Sequence, residues 1–184
     1  MNALLRAVAV VFAVFLTGCG SGLPGISVVT AEAGPKVVIT NSRGGDVDSF
    51  DQAFLHWSQM PGATVEIQQG CASACTQVFD YFPPDRVCLA PGARVLFHSA
   101  TLRTTFASAN LRGSQIATVV DNTDSIGTFM MFLHYPQWIQ YRLRSAGVMV
   151  QDSGNPRAIL GADEFWMHGY RVCERPKDQP PKEL

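Results

Sequence analysis

The chain has 184 residues, a formal net charge of −1 and 16% charged residues. No basic cluster interrupts this balance, which argues against a nucleic-acid partner. What remains after an N-terminal leader is one domain's worth of sequence.

Residues 1–18 read as that leader. Arg6 supplies a short positive region, and Ala7 to Leu16 is an unbroken apolar run. The run is too short to span a bilayer comfortably and reads as a signal peptide. It ends in Leu16-Thr17-Gly18-Cys19, which resembles the bacterial lipobox. That resemblance implies cleavage before Cys19 and lipidation of its thiol and new amino group. Several acyl chains together anchor stably where one does not. Gly20, not Asp, follows the cysteine, and sorting rules then imply the outer membrane, facing the periplasm. The expectation is a lipid-anchored protein of the bacterial cell envelope. The alternative is plain secretion with a cut at Ala31-Glu32-Ala33, far beyond the apolar run.

Residues 19–35 are rich in Gly, Ser, Ala and Pro and predict a flexible tether. Lys36 to Thr40 is a strand of the buried type. Val47, Phe50, Phe54 and Trp57 fall at helical spacing and predict a helix over 46–60, capped by Asp46 or Asp48 and ended by Pro61-Gly62. Ala63 to Gln69 is strand-like, and Ser73 to Tyr81 turns helical until Pro83-Pro84. Val87 to Ala90 and Ala93 to His98 read as strands split by Pro91-Gly92. Thr101 to Arg112 is polar and predicts a loop. Ile116 to Ala146 predicts helix, divided near Tyr135-Pro136, with Gly147 as its stop. Phe129, Met130, Met131, Phe132 and Trp138 form an apolar stripe expected in the core. Gln151 to Pro156 is a second loop, Gly161 to His168 a short helix, and residues 174–184 a disordered tail. The folded domain is thus expected over 36–173. His56, His134 and His168 are expected to be structural or surface residues.

Cys71, Cys75, Cys88 and Cys173 can pair in an oxidising compartment, with three full connectivities. Cys71–Cys88 is a first guess, on the expectation that their strands are neighbours. The cysteine spacing matches no zinc module, and no cofactor is expected.

The buried-type strands alternate with helices, which argues an α/β fold with crossover connections. Loops at the strand carboxyl ends carry the site in such folds. Three candidate elements lie there: Asn41-Ser42-Arg43-Gly44-Gly45, Ser73 and His98. A serine hydroxyl is a weak nucleophile and needs a base and oxyanion donors. His98 is the candidate base. The plainer alternatives are a Ser73 that merely caps a helix and a His98 satisfied at a strand end.

Asn41-Ser42-x-Gly44-Gly45, Gly70-x-Ala72-Ser73-Ala74, Pro91-x-Ala93-x-x-x-Phe97-His98 and Gly161-Ala162-Asp163-Glu164-x-x-x-x-Gly169 occur in this order over about residues 36–172. In this the chain resembles the Clp protease/crotonase superfamily, most of all its secreted bacterial Clp-like branch. The resemblance implies a spiral of strand–helix units with a helical C-terminal part. It implies Ser73 as nucleophile, His98 as base, and N–H groups of Gly44 or Gly45 and of Ala74 as the oxyanion hole. Two departures stand out. Arg43 replaces the family's proline in the glycine turn, and Arg157 falls near the family's acidic triad position. Asp152 and Asn155 are the nearest substitutes, and Asp152 is the expected third member. The expected function is an envelope-anchored, peptidase-like serine hydrolase acting on a polypeptide or ester. The alternative is an inactive Clp-like lipoprotein that binds an envelope protein partner.

Overall fold

The computed structural model describes residues 22–109, 115–123, 125–148 and 157–174. Among these, seven strands form one mixed sheet. The strands are β1 (Ile26–Ala31), β2 (Gly34–Ser42), β3 (Thr64–Ala72), β4 (Val87–Leu89), β5 (Arg94–His98), β8 (Arg157–Gly161) and β9 (Arg171–Val172). A separate two-stranded sheet pairs β6 (Thr101–Ala109) with β7 (Gln115–Thr123). The helices are α1 (Val47–Ser58), α2 (Val78–Tyr81), α3 (Ser125–His134), α4 (Gln137–Ser145) and α5 (Ala162–Met167). A 3-10 helix, Ser73–Gln77, joins β3 to α2. The α/β expectation holds, as a mixed architecture.

Strand β3 organises the larger sheet. It runs parallel to β2 on one side. On the other side, its first half (Val65–Ile67) pairs with β4 and its second half (Gly70–Ala72) with β5, both parallel. The chain leaves β4 through the Pro91-Gly92 turn and rejoins the same edge one step further along. Strand β8 then adds antiparallel to β5. Helix α1 buries Phe50, Phe54 and Trp57, the residues that its spacing placed on one face. Each such side chain contributes roughly 1.5–3 kcal/mol by leaving water. Asp46 caps this helix by accepting from the Ser49 N–H at 2.9 Å. Phe79 stacks on Phe165 and meets Tyr170 edge-on, which joins the helices after β3 to α5.

Several expectations need correction. Residues 26–31, placed in a flexible tether, form β1 and pair antiparallel with β2 from Ile26↔Ile39 to Ala31↔Gly34. The β-branched run Ile26-Ser27-Val28-Val29-Thr30 favours a strand over a linker. Gly34, at φ +119, lets the hairpin lie on the next turn: a Cβ there would sit 2.6 Å from the Pro61 carbonyl oxygen. The expected loop from Thr101 and the start of the expected helix at Ile116 are instead the β6–β7 ribbon. Threonine-rich polarity suggested a loop, but Thr and Val also suit a pleated strand. Helix begins only at Ser125. The C-terminal part is not purely helical, because β8 and β9 contribute to the sheet. In the apolar stripe, Phe132 is buried, whereas Phe129 and Met130 are about half exposed, at 51% and 52%.

The Cys71–Cys88 pairing is also overturned. Cys71 bonds Cys75, and Cys88 bonds Cys173. Strand β4 lies beside the first half of β3, so Cys88 sits across from Glu66 and not from Cys71. Parallel pairing of β4 with β9 brings Cys173 to Cys88 instead. The Cys88–Cys173 bond spans a sequence separation of 85. On chain-entropy grounds it contributes roughly 4–5 kcal/mol, against roughly 2 for the short Cys71–Cys75 loop.

Candidate active site

Strands β3 and β5 are parallel, with Ala72 opposite Leu96. Their carboxyl ends therefore lie on one edge of the sheet. Ser73 is the first residue past β3, and His98 is the last of β5. Both are partly buried. Their side chains are not hydrogen-bonded to each other in this structure. Catalytic hydrogen bonds often tighten only when substrate is bound.

Ser73 has φ +57, in the left-handed region that non-glycine residues rarely enter. The strand turns there into a 3-10 helix, whose first N–H groups have no partners within it. Gly44 lies against this turn at φ +79. A Cβ on Gly44 would fall 2.5 Å from the Ala72 oxygen, 2.6 Å from the Ser73 Cβ and 2.9 Å from the Ala74 nitrogen. Only glycine permits that approach. The glycine turn and the Ala74 N–H are thus brought together at Ser73. The Gly44 N–H donates to the buried Ser42 hydroxyl at 3.3 Å, which leaves Gly45 as the neighbouring donor of the turn.

The carbonyl of Ser73 is held as well. Thr76 donates its hydroxyl hydrogen to this oxygen at 2.6 Å. The Thr76 and Tyr135 hydroxyls are 2.6 Å apart. Because Thr76 has one hydroxyl hydrogen and commits it to Ser73, Tyr135 donates to Thr76. Burial, with the Asp80 charge second, raises the Tyr135 pKa and keeps the phenol protonated as that donor.

The His98 ring Nδ1 lies 2.6 Å from the Ser99 carbonyl oxygen. A carbonyl only accepts, so Nδ1 is the donor to it, and in the neutral ring Nε2 then keeps its lone pair. The Ser99 hydroxyl in turn donates to the Val148 carbonyl at 2.9 Å, and the Ala100 N–H to Thr128 Oγ1 at 2.8 Å. Arg157 stands directly across from His98 in the β5–β8 ladder. A guanidinium has no acceptor and cannot take the Nδ1 proton. Asp152, Asn155 and Cys19 lie outside the described residues. A small apolar void of about 10 Å³ beside His98 is lined by Phe97, Met131, Phe132, Leu143 and Val148 and is too small for a substrate group.

Asp80, on α2, takes no part in these hydrogen bonds. Its Oδ1 is buried without a hydrogen-bond partner, as is the Tyr170 hydroxyl. Burial, with the nearby Asp51 charge second, raises the Asp80 pKa from 3.8 to about 8. Asp51 itself accepts from the Tyr81 hydroxyl.

Thr76, Tyr135, Ser42 and Ser99 were not singled out from the sequence. Ser42 lies within the glycine-turn motif and could have been. Nothing local marks Tyr135, which is 59 positions from its partner. Among the described residues, no three His, Cys, Asp or Glu side chains gather as a metal site.

No protein-family model and no curated protein matches the chain. Among solved structures it is similar to a ClpP1 mutant from Listeria monocytogenes. The identity is 15% and the TM-score 0.40, over 73% of this chain and 70% of that one. This likeness concerns the fold at most.

Proposed function

We propose that the protein is a serine hydrolase, with Ser73 as nucleophile and His98 as base, acting on a polypeptide or ester at the bacterial cell envelope. The observation that carries this reading is the placement of Ser73, in a strained left-handed turn against Gly44, on the same sheet edge as His98. Backbone strain of this kind costs of order 1–3 kcal/mol and clusters at functional sites.

In the proposed reaction, Ser73 Oγ attacks the substrate carbonyl carbon as His98 Nε2 takes its proton. The N–H groups of Ala74 and Gly45 receive the oxyanion. Collapse expels the amine or alcohol, which takes the proton from His98. Water, deprotonated by His98, then hydrolyses the acyl-serine and restores the hydroxyl. The Ser99 carbonyl supplies orientation to the ring. It carries no full negative charge, so the imidazolium is stabilised less than by a carboxylate, and weak activity is expected.

A fluorophosphonate probe tests this reading. Wild-type protein should be labelled at Ser73, with Ser73→Ala and His98→Ala at background. With Ser99 already holding Nδ1, Asp152→Ala and Asn155→Ala should each lose less than about tenfold. A larger loss at Asp152 would restore a triad. Unlabelled wild-type protein would reject the hydrolase. A partner-binding module would then be the account, favoured by the half-exposed Phe129, Met130 and Leu133 of α3.

A further inference from the structure

The Cys71–Cys75 disulfide encloses the proposed nucleophile. Cys71 lies in β3 and Cys75 in the 3-10 helix, with Ser73 midway between them. Both cysteines are fully buried, Cys75 at 0% and Cys71 at 1% exposure. Cys71 is set in the sheet between Ser42 of β2 and Val95 of β5. The bond therefore ties the first turn after the strand to the rigid centre of the sheet.

We infer that Cys71 and Cys75 are positioning residues for Ser73, and that their disulfide holds it in the left-handed conformation its chemistry needs. This inference rests on the hydrolase reading. Three residues, Ala72 to Ala74, are enclosed by the bond, and the middle one has φ +57. A serine left to itself prefers negative φ. The Thr76 hydrogen bond restrains the Ser73 carbonyl, but it does not forbid rotation about the Ser73 N–Cα bond. A covalent link from Cys71 to Cys75 spans that bond and limits it directly. In this shape the turn packs closely on Gly44, through Ala72, Ser73 and Ala74. Relaxation of Ser73 would move the Ala74 N–H as well, so nucleophile and oxyanion donor depend on the same constraint.

The second disulfide provides an internal control. Cys88–Cys173 closes a far longer loop and does not flank the site. Removing it should lower stability more, and removing Cys71–Cys75 should lower reactivity more. A purely structural role for both bonds predicts reactivity that follows stability in both cases.

The experiment compares wild type, the Cys71→Ala/Cys75→Ala pair and the Cys88→Ala/Cys173→Ala pair. Thermal midpoint and the second-order rate of fluorophosphonate labelling are measured, the latter well below every midpoint. A misplacement of about 1 Å can cost about 100-fold in rate, which is the loss expected for the first pair. The second pair should label within about threefold of wild type despite the lower midpoint. Labelling of the first pair within about threefold of wild type would overturn the inference, as would equal losses in both pairs. Should the first pair not fold, Cys71→Val/Cys75→Ala refills the buried volume and carries the same comparison. Unlabelled wild-type protein would reject the hydrolase reading alone. The crystal structure of the first pair then decides: Ser73 at negative φ upholds the constraint, and Ser73 still left-handed overturns it.

Discussion

The Tyr135 hydroxyl donates across 2.6 Å to Thr76, and through Thr76 it reaches the Ser73 carbonyl. This relay ties the turn carrying the proposed nucleophile to the junction of α3 and α4. Tyr135 also meets Phe97 edge-on, one residue before His98, so one side chain braces both strand ends. Tyr135→Phe keeps the ring contact and removes the hydrogen bond. The expected cost is about 1 kcal/mol, rising toward about 3 because Thr76 stays buried with an unmet acceptor site. Denaturant unfolding measures this. Labelling of Ser73 should fall with it, and an unchanged rate would show that the Thr76 contact alone holds the carbonyl.

Asp80 should make stability depend on pH. Its carboxyl is protonated in the folded chain up to about pH 8, against 3.8 when unperturbed. Between these values the folded state binds one more proton than the unfolded state, so stability falls as pH rises. The limiting slope is roughly 1.4 kcal/mol per pH unit. Asp80→Asn cannot ionise. It should therefore flatten the profile, with a gain of several kcal/mol near pH 8 and little change near pH 4. Denaturant midpoints across this range test the prediction, and parallel profiles for the two proteins would refute it.

Gly44→Ala should damage both fold and site. The added Cβ meets backbone atoms of Ala72 and Ala74, which cannot rotate away, and φ +79 adds strain. Left-handed backbone alone costs roughly 1–2 kcal/mol, so a total of about 2–4 is expected. Gly45→Ala makes a useful comparison. The nearest atom to a Cβ at Gly45 is 3.5 Å away, on the Phe50 ring, and that variant should lose much less stability.

The anchoring proposal rests on the Leu16-Thr17-Gly18-Cys19 tetrapeptide. Cys19→Ser should leave an unprocessed precursor that takes up no lipid label. Normal processing of this variant, read by mass, would mean ordinary secretion.

Much of the larger sheet and the candidate site is legible from local rules. Helical spacing in α1 marks its buried face, because a helix of 3.6 residues per turn presents Phe50, Phe54 and Trp57 together. Pro91-Gly92 marks the turn before β5, and Ser73 and His98 stand at strand ends that simple alternation locates. Strand ends, turns and helical faces are encoded within a few residues of one another. The β6–β7 ribbon escapes this reading, since polar Thr-rich segments suit a loop or a strand, and the cross-strand pairing of the two neighbouring segments decides.

What belongs to tertiary structure is everything set by distant partners. The four cysteines allow three full pairings by sequence, and the choice follows from which half of β3 each neighbouring strand joins. β4 takes the first half and so carries Cys88 away from Cys71. The Ser99 carbonyl beside His98, the Tyr135 relay to Ser73 and the raised pKa of Asp80 likewise come from burial and approach. These depend on where a group ends up after folding, and no periodicity in the chain expresses them. The sequence by itself thus determines which residues stand at the strand ends. The packing of β3, β5 and α3–α4 decides how those residues are held.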